Sequence, residues 1–149
     1  MLSNKAKYGL KALIYLAENA DGPASLISDI AEKNQLPKKF LDAILLELRK
    51  HGILNSKKGP GGGYSLARPA NTIMVGQVIR ILDGPIAPIA CASRGSFKPC
   101  EDCTDVRNCA IRAVMLDVRD AMADILDQTS IADMQRKSDD REFVLMYDI

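Results

Sequence analysis

Apolar residues recur in steps of three and four along most of the chain, and the interruptions mark where its elements end. Ala6, Leu10, Leu13, Ile14 and Ala17 share one face of a first helix, with Tyr8, Tyr15 and Leu16 widening that face and Ser3 or Asn4 available as cap. Residues 19–22 end it, and Pro23 prevents continuation. A short second helix, capped by Ser25 or Ser28, buries Leu26, Ile27, Ile30 and Ala31, and Asn34-Gln35-Leu36 forms its exit turn. The third helix starts at Pro37, a residue favoured in a first turn, and carries the stripe Leu41, Ile44, Leu45 and Leu48. A fourth, over residues 75–82, rests on Val75, Val78, Ile79 and Leu82 and is stopped by Gly84-Pro85. A long helix from Val106 or Cys109 to Gln128 aligns Ile111, Val114, Val118, Ala121 and Ile125 in alternating steps of three and four, a short coiled-coil-like seam.

Between the third and fourth helices the period changes. Ile53-Leu54 and Tyr64-Ser65-Leu66 have strand character. Gly59, Gly61, Gly62 and Gly63 between them permit positive φ and close approach, and Gly52 sits where a helix C-terminus favours a left-handed residue. Lys57 and Lys58 stand at the mouth of this turn. A basic glycine hairpin directly after two helices joined by a short turn predicts a mainly α fold, a winged helix-turn-helix with a two-stranded β wing and a long C-terminal dimerisation helix. The expected organisation is a DNA-binding domain over 1–84, a cysteine-rich loop over 85–108, a dimerisation helix over 109–128 and a C-terminal tail over 129–149. That tail is polar up to Arg141, and Phe143-Val144-Leu145-Met146-Tyr147 reads as a possible docking strand.

Composition narrows the picture. Apolar residues make up 47% of the chain, which excludes disorder throughout. No apolar run is long enough for a bilayer and the N-terminus lacks the core of a signal peptide, so a soluble cytoplasmic protein with no membrane partner is expected. The net charge of +1 conceals an asymmetry: residues 1–70 hold 11 Lys/Arg against 6 Asp/Glu, and residues 71–149 hold 9 against 13. A basic N-terminal half suits a polyanion. On the outer face of the third helix, Lys38 and Lys39 are candidates for phosphate or guanine contact, and Asp42 for accepting from a cytosine amino group. Arg49 shares that face. Lys57, Lys58, Gly61, Gly62 and Tyr64 complete the candidate DNA-binding set in the wing. The alternative for these charges is an ordinary solvated surface. His51, the one histidine, suits a helix C-terminus better than a ligand role. No catalytic Ser/His/Asp constellation or phosphate-binding loop is visible, which argues against an enzyme.

The remaining chemistry is concentrated in four cysteines, Cys91, Cys100, Cys103 and Cys109, all within the irregular stretch before the long helix and at its start. In a cytosolic chain such a cluster points to metal or redox chemistry. Four thiolates can close a zinc site, although the spacing does not form two close pairs. Cys100 and Cys103 can form a thiol–disulfide switch. Irregular spacing in a loop is also normal for an iron–sulfur cluster. The residues alone leave these open, along with a redox or metal-carrying protein that binds no DNA.

The blocks Lys7-Tyr8-Gly9-Leu10-Lys11-Ala12, Leu48-Arg49-Lys50-His51-Gly52-Ile53-Leu54 and above all Lys58-Gly59-Pro60-Gly61-Gly62-Gly63-Tyr64 resemble the bacterial IscR-type iron–sulfur regulator family, with its iron-responsive RirA and nitric-oxide-responsive NsrR branches. The segment Asn71-Thr72-Ile73, followed by Val75, Gly76, Val78 and Ile79, fits as well, and the similarity runs to about Gln128. The resemblance implies a homodimeric transcription factor, usually a repressor, that binds a palindromic double-stranded operator and is controlled by a cluster, [2Fe–2S] favoured and [4Fe–4S] possible. It assigns Cys91, Cys103 and Cys109 as ligands, with Cys100 the preferred fourth. Four positions depart from the pattern. Arg112 stands near the place of a histidine ligand in IscR, and Lys7 where NsrR has an aspartate ligand. Lys58 replaces the arginine that usually precedes the wing. Asp42 occupies the place of a base-reading glutamate.

Overall fold

The computed structural model describes residues 2–145, with side chains through residue 140. Helix α1 (Asn4–Glu18) is capped by Ser3, whose hydroxyl accepts from the Ala6 N–H. It buries Ala6, Leu10, Leu13 and Leu16 and leaves Ile14 and Ala17 half-buried. Helix α2 (Ile27–Asn34) ends on Gln35 in the left-handed region, and α3 (Lys38–Lys50) follows Pro37. The buried stripe of α3 is Leu41, Ile44, Leu45 and Leu48, as its periodicity predicts. His51 closes this helix by donating from Nδ1 to the Glu47 carbonyl, and Gly52 takes φ +75°.

The wing is β1 (Leu54–Lys57) paired antiparallel with β2 (Gly63–Leu66), in a register that places Leu54 opposite Leu66 and Lys57 opposite Gly63. Its turn is closed by the Gly62 N–H donating to the Gly59 carbonyl, with Pro60 second and Gly61 (φ +72°) third. That is the sequence logic of a type II turn. Helix α4 (Val75–Asp83) buries Val75, Val78, Ile79 and Leu82 against α1 and stops at Gly84 (φ +86°). Helix α5 (Ala110–Gln128) begins at Cys109 rather than Val106, and α6 (Ile131–Leu145) packs back on α1.

Three expectations need correction. Neither Ser25 nor Ser28 caps α2. Its preceding residue is Leu26, without a side-chain cap bond, because Ser25 is committed to a strand-like bridge with Tyr64. In that bridge the Ser25 N–H donates to the Tyr64 carbonyl and the Tyr64 N–H to the Ser25 carbonyl, each at 2.8 Å. Leu26 is not core: it is 52% exposed. The tail from 129 also forms a helix, not a polar segment leading to a docking strand. Ile131 is fully buried, Met134 packs on the core, and Ser130 and Asp133 form a reciprocal capping box at 2.9 and 3.0 Å that starts α6. Phe143, Val144 and Leu145 therefore end a helix rather than forming a strand, while Met146 and Tyr147 lie outside the described residues.

Candidate functional site

Two groups of chemically distinctive residues emerge, one around α3 and the wing and one before and at the start of α5. The first is a cleft of about 510 Å³ between the start of α2, α3 and the wing. Lys38, Arg49, Lys57, Lys58, Gly63 and Tyr64 line it together with Leu26, Leu46, Ser28 and Ser56. Helical geometry explains the α3 contribution: Lys38, Leu46 and Arg49 share one stripe with Asp42, at steps of four, four and three opposite the buried leucines, although Asp42 itself does not line the cleft. Lys39 is exposed on the adjoining face. Arg49 Nη1 donates to Ser56 Oγ at 3.1 Å, which ties the end of α3 to β1.

Tyr64 sits between the two elements. Burial, and then the neighbouring Asp42 carboxylate, push its phenol above the ordinary value, partly offset by Arg49. A Cβ on Gly61 would meet nothing within 4 Å, whereas Gly62 and Gly63 have no such room. A Cβ on Gly62 would lie 2.4 Å from the Lys57 carbonyl oxygen, and one on Gly63, already at φ +137°, would lie 2.2 Å from the Ser25 carbonyl oxygen. These two glycines serve the folding of the wing before any ligand arrives. Sequence reasoning missed Leu26, Leu46, Ser28 and Ser56. The signal for Leu46 was its place on the polar stripe of α3.

The second group is the cysteine loop. Residues 85–108 contain only a short 3₁₀ turn at Ala90–Ala92, and the segment is held by local hydrogen bonds instead. The Lys98 N–H donates to the Ala90 carbonyl, the Ser96 N–H to Ser93 Oγ and the Cys103 N–H to the Cys100 carbonyl. Asp105 accepts from the Arg107 and Asn108 backbone N–H groups and from Asn108 Nδ2, which holds its carboxyl below the usual range. Arg94 makes a two-pronged contact with Asp120 of α5. Arg80 of α4 does the same with Asp127, directly beneath Gly76.

All four cysteines line one cavity of about 320 Å³ at the N-terminus of α5. Cys91 is buried, Cys109 half-buried, and Cys100 and Cys103 are exposed. Cys100 Sγ donates to Cys91 Sγ at 4.0 Å. That bond and the charge of Cys91 hold the Cys100 thiol above its ordinary value. Cys109 caps α5, its sulfur accepting from the Arg112 N–H at 3.4 Å. Among the described residues no group of three or more His, Cys, Asp or Glu side chains stands close enough to hold a metal ion. The donor set itself fits the chemistry of a soft, thiolate-bound centre: four cysteines line one cavity, and the two exposed ones lie on irregular backbone. Lys7 lies on α1. Its ammonium lies 5.6 Å from the Tyr8 ring centroid, and Tyr8 meets Phe40 edge to face.

The α5 seam faces outward. Ile111 and Ile125 are each 67% exposed and Val114 57%, and Ala123 is the helix's one buried residue. Among the described residues no helix is long and apolar enough to cross a membrane.

Comparison with known proteins agrees with this architecture. Residues 2–137 match the family model for Rrf2, an iron-dependent transcriptional regulator. An rrf2-like helix-turn-helix transcriptional regulator of Rhodobacter capsulatus is 42% identical over 137 residues, which span 90% of this chain and 91% of that protein. The solved structure of CymR, the global cysteine regulator of B. subtilis, matches with TM-score 0.76 at 31% identity, over 92% of this chain and 97% of CymR. IscR of T. potens matches with TM-score 0.73 at 30% identity, over 93% of this chain and 88% of that one.

Proposed function

The chain belongs to the Rrf2 family of helix-turn-helix transcriptional regulators, and on that premise we propose that it is a cytoplasmic homodimer, usually repressing, whose DNA binding is governed by an iron–sulfur cluster. It is a DNA-binding regulator and not an enzyme. The observation that carries the sensing reading is the convergence of Cys91, Cys100, Cys103 and Cys109 on one cavity at the root of α5. Those four sulfurs would hold the cluster, with [2Fe–2S] favoured over [4Fe–4S]. The bound group supplies sensitivity to iron supply, oxygen, nitric oxide or redox state.

The rest is the work of the chain. Cys91 is buried beside the globular core and Cys109 caps α5, so the cavity joins the DNA-binding module to the arm. A cluster held by Cys100 and Cys103 as well as Cys91 and Cys109 would tie the loop to the start of α5. In a dimer built on the exposed α5 seam, that tie alters the distance and angle between two reading heads. Each head presents Lys38, Lys39, Asp42 and Arg49 from α3 to the major groove of a palindromic half-site, with Lys57, Lys58, Gly61, Gly62 and Tyr64 of the wing beside the backbone or minor groove. Lysine at position 58 is a compact, strongly hydrated charge, so its contact is to phosphate more than to a narrow groove.

The test is anaerobic reconstitution with iron and sulfide, followed by visible spectroscopy, iron and sulfide analysis, and operator binding by holo and apo forms. Stoichiometric iron and sulfide, with DNA affinity that differs between the two forms, is expected. A colourless protein that binds zinc, with affinity unchanged on demetallation, overturns the reading.

One observation favours a second reading. The Cys91 and Cys100 sulfurs are 4.0 Å apart, which suits a metal-free switch in which a hydroperoxide oxidises the pair to a disulfide and is itself reduced to water and an alcohol. A protein without iron, whose DNA binding changes on reversible Cys91–Cys100 coupling, would establish that reading instead.

A further inference from the structure

Among the described residues Arg112 is the only basic one lining the cysteine cavity, which it shares with two acidic residues, Asp102 and Asp105, in addition to the four cysteines. It lies in the first turn of α5 and connects the two ends of the loop. Its Nε donates to the Cys91 carbonyl at 2.9 Å, and its backbone N–H donates to Cys109 Sγ at 3.4 Å. Its guanidinium carbon lies 5.6 Å from the centroid of the Phe97 ring, which belongs to the intervening segment. A long cationic side chain on a helix surface ordinarily keeps its head in water. Arg112 is half-buried and spends its head on a backbone carbonyl and an aromatic face.

Metal ligation by cysteine takes place as thiolate, so a centre in this cavity adds negative charge beside two existing carboxylates. We infer that Arg112 is the positioning residue of the cysteine site: it keeps Cys91 and Cys109 in one frame and offsets the negative charge of a thiolate-bound iron–sulfur centre. The inference rests on the reading that the cysteines hold such a centre. Arg112 acts through Cys91 and Cys109 and is not itself a ligand. Its two contributions are separable. Lysine keeps the charge but lacks the planar fork that reaches the Cys91 carbonyl, and glutamine lacks the charge.

The test compares wild type with Arg112→Lys and Arg112→Gln, each reconstituted anaerobically with ferrous iron and sulfide. Iron loss to a chelator and the midpoint potential are measured, with far-UV circular dichroism reporting the fold. Arg112→Gln should lose iron faster by roughly tenfold to a hundredfold, the usual consequence of removing a partner outside the ligand set, and should have a lower midpoint potential. Arg112→Lys should recover the potential but not the retention. Variants equal to wild type in both measurements overturn the inference and leave the cluster reading standing. A wild-type protein that takes up no iron removes both. Should Arg112→Gln fail to fold, Arg112→Lys decides alone, because wild-type iron retention in that variant overturns the positioning role.

Discussion

The reading head and the arm of this protein are built on opposite terms. From α1 to α4 nearly every apolar position predicted to be inward is inward, and the wing is bound both to α3, through Arg49 and Ser56, and to the start of α2, through Ser25 and Tyr64. Along α5 a regular apolar seam faces water, and the loop before it keeps two of four thiols exposed. Helices with exposed seams of this kind gain their stability from a partner surface. The contrast teaches that the head is finished by its own chain, whereas the arm is completed by what binds it.

The largest expected effect comes from charging the seam. Val118→Asp places a carboxylate in the middle of the exposed stripe and should convert a dimer to a monomer, as read by analytical ultracentrifugation. It should leave the melting temperature of the head nearly unchanged. A dimer that survives this substitution would show that the arm is not the subunit interface.

The next test concerns α6, which follows the arm in sequence but packs as part of the head. Ile131 is fully buried, so Ile131→Ala should cost about 2–5 kcal/mol by chemical denaturation. A cost below about 1 kcal/mol would assign α6 to the loosely built half.

Within the wing, two adjacent glycines should respond differently. Gly63→Ala forces a side chain at φ +137° and against the Ser25 carbonyl, so it should destabilise by about 1–3 kcal/mol or more. Gly61→Asn, at φ +72° with open space around it, should stay within about 1 kcal/mol of wild type. Equal effects at the two positions would mean the wing is not held by α2.

The smallest effect belongs to the loop. Hydrogen bonds from Arg94 and then Arg119 hold the Asp120 carboxyl well below the usual carboxylate range. A carboxylate with a depressed folded value contributes stability fully above its unfolded value of about 4 and loses that contribution as pH falls towards the folded one. Arg94→Gln should therefore lower the melting temperature slightly near about pH 6, with the gap closing towards about pH 2 and in high salt. A gap that persists in acid would point to lost packing rather than charge.

Sequence periodicity was a good guide wherever local pattern and burial coincide. The stripes Leu41–Ile44–Leu45–Leu48 and Val75–Val78–Ile79–Leu82 are core, and the glycine punctuation locates the ends of α3 and α4. It misled at Ser25 because a serine before an apolar run also suits a helix cap, and its actual partner, Tyr64, is distant in the chain. It missed α6 because that helix is polar on most of its surface, although Ser130 and Asp133 at capping-box spacing were there to be read. In the cysteine loop, spacing alone could not reveal which thiols share a space. That arrangement depends on turns made by Asp105, Ser93 and Arg112, which carry no periodicity. The structure adds Leu26, Leu46, Ser28 and Ser56 to the cleft around the candidate reading residues.

The pair of hydrogen bonds between Ser25 and Tyr64 has a kinetic consequence. A hairpin of two four-residue strands would ordinarily fray by itself. Joined to the N-terminus of α2, it can open only when that helix loosens too, so the two form one cooperative opening unit. The Ser25 and Tyr64 amide protons should then exchange with solvent at a common rate, and a change that steadies α2 should slow exchange in the wing it never touches.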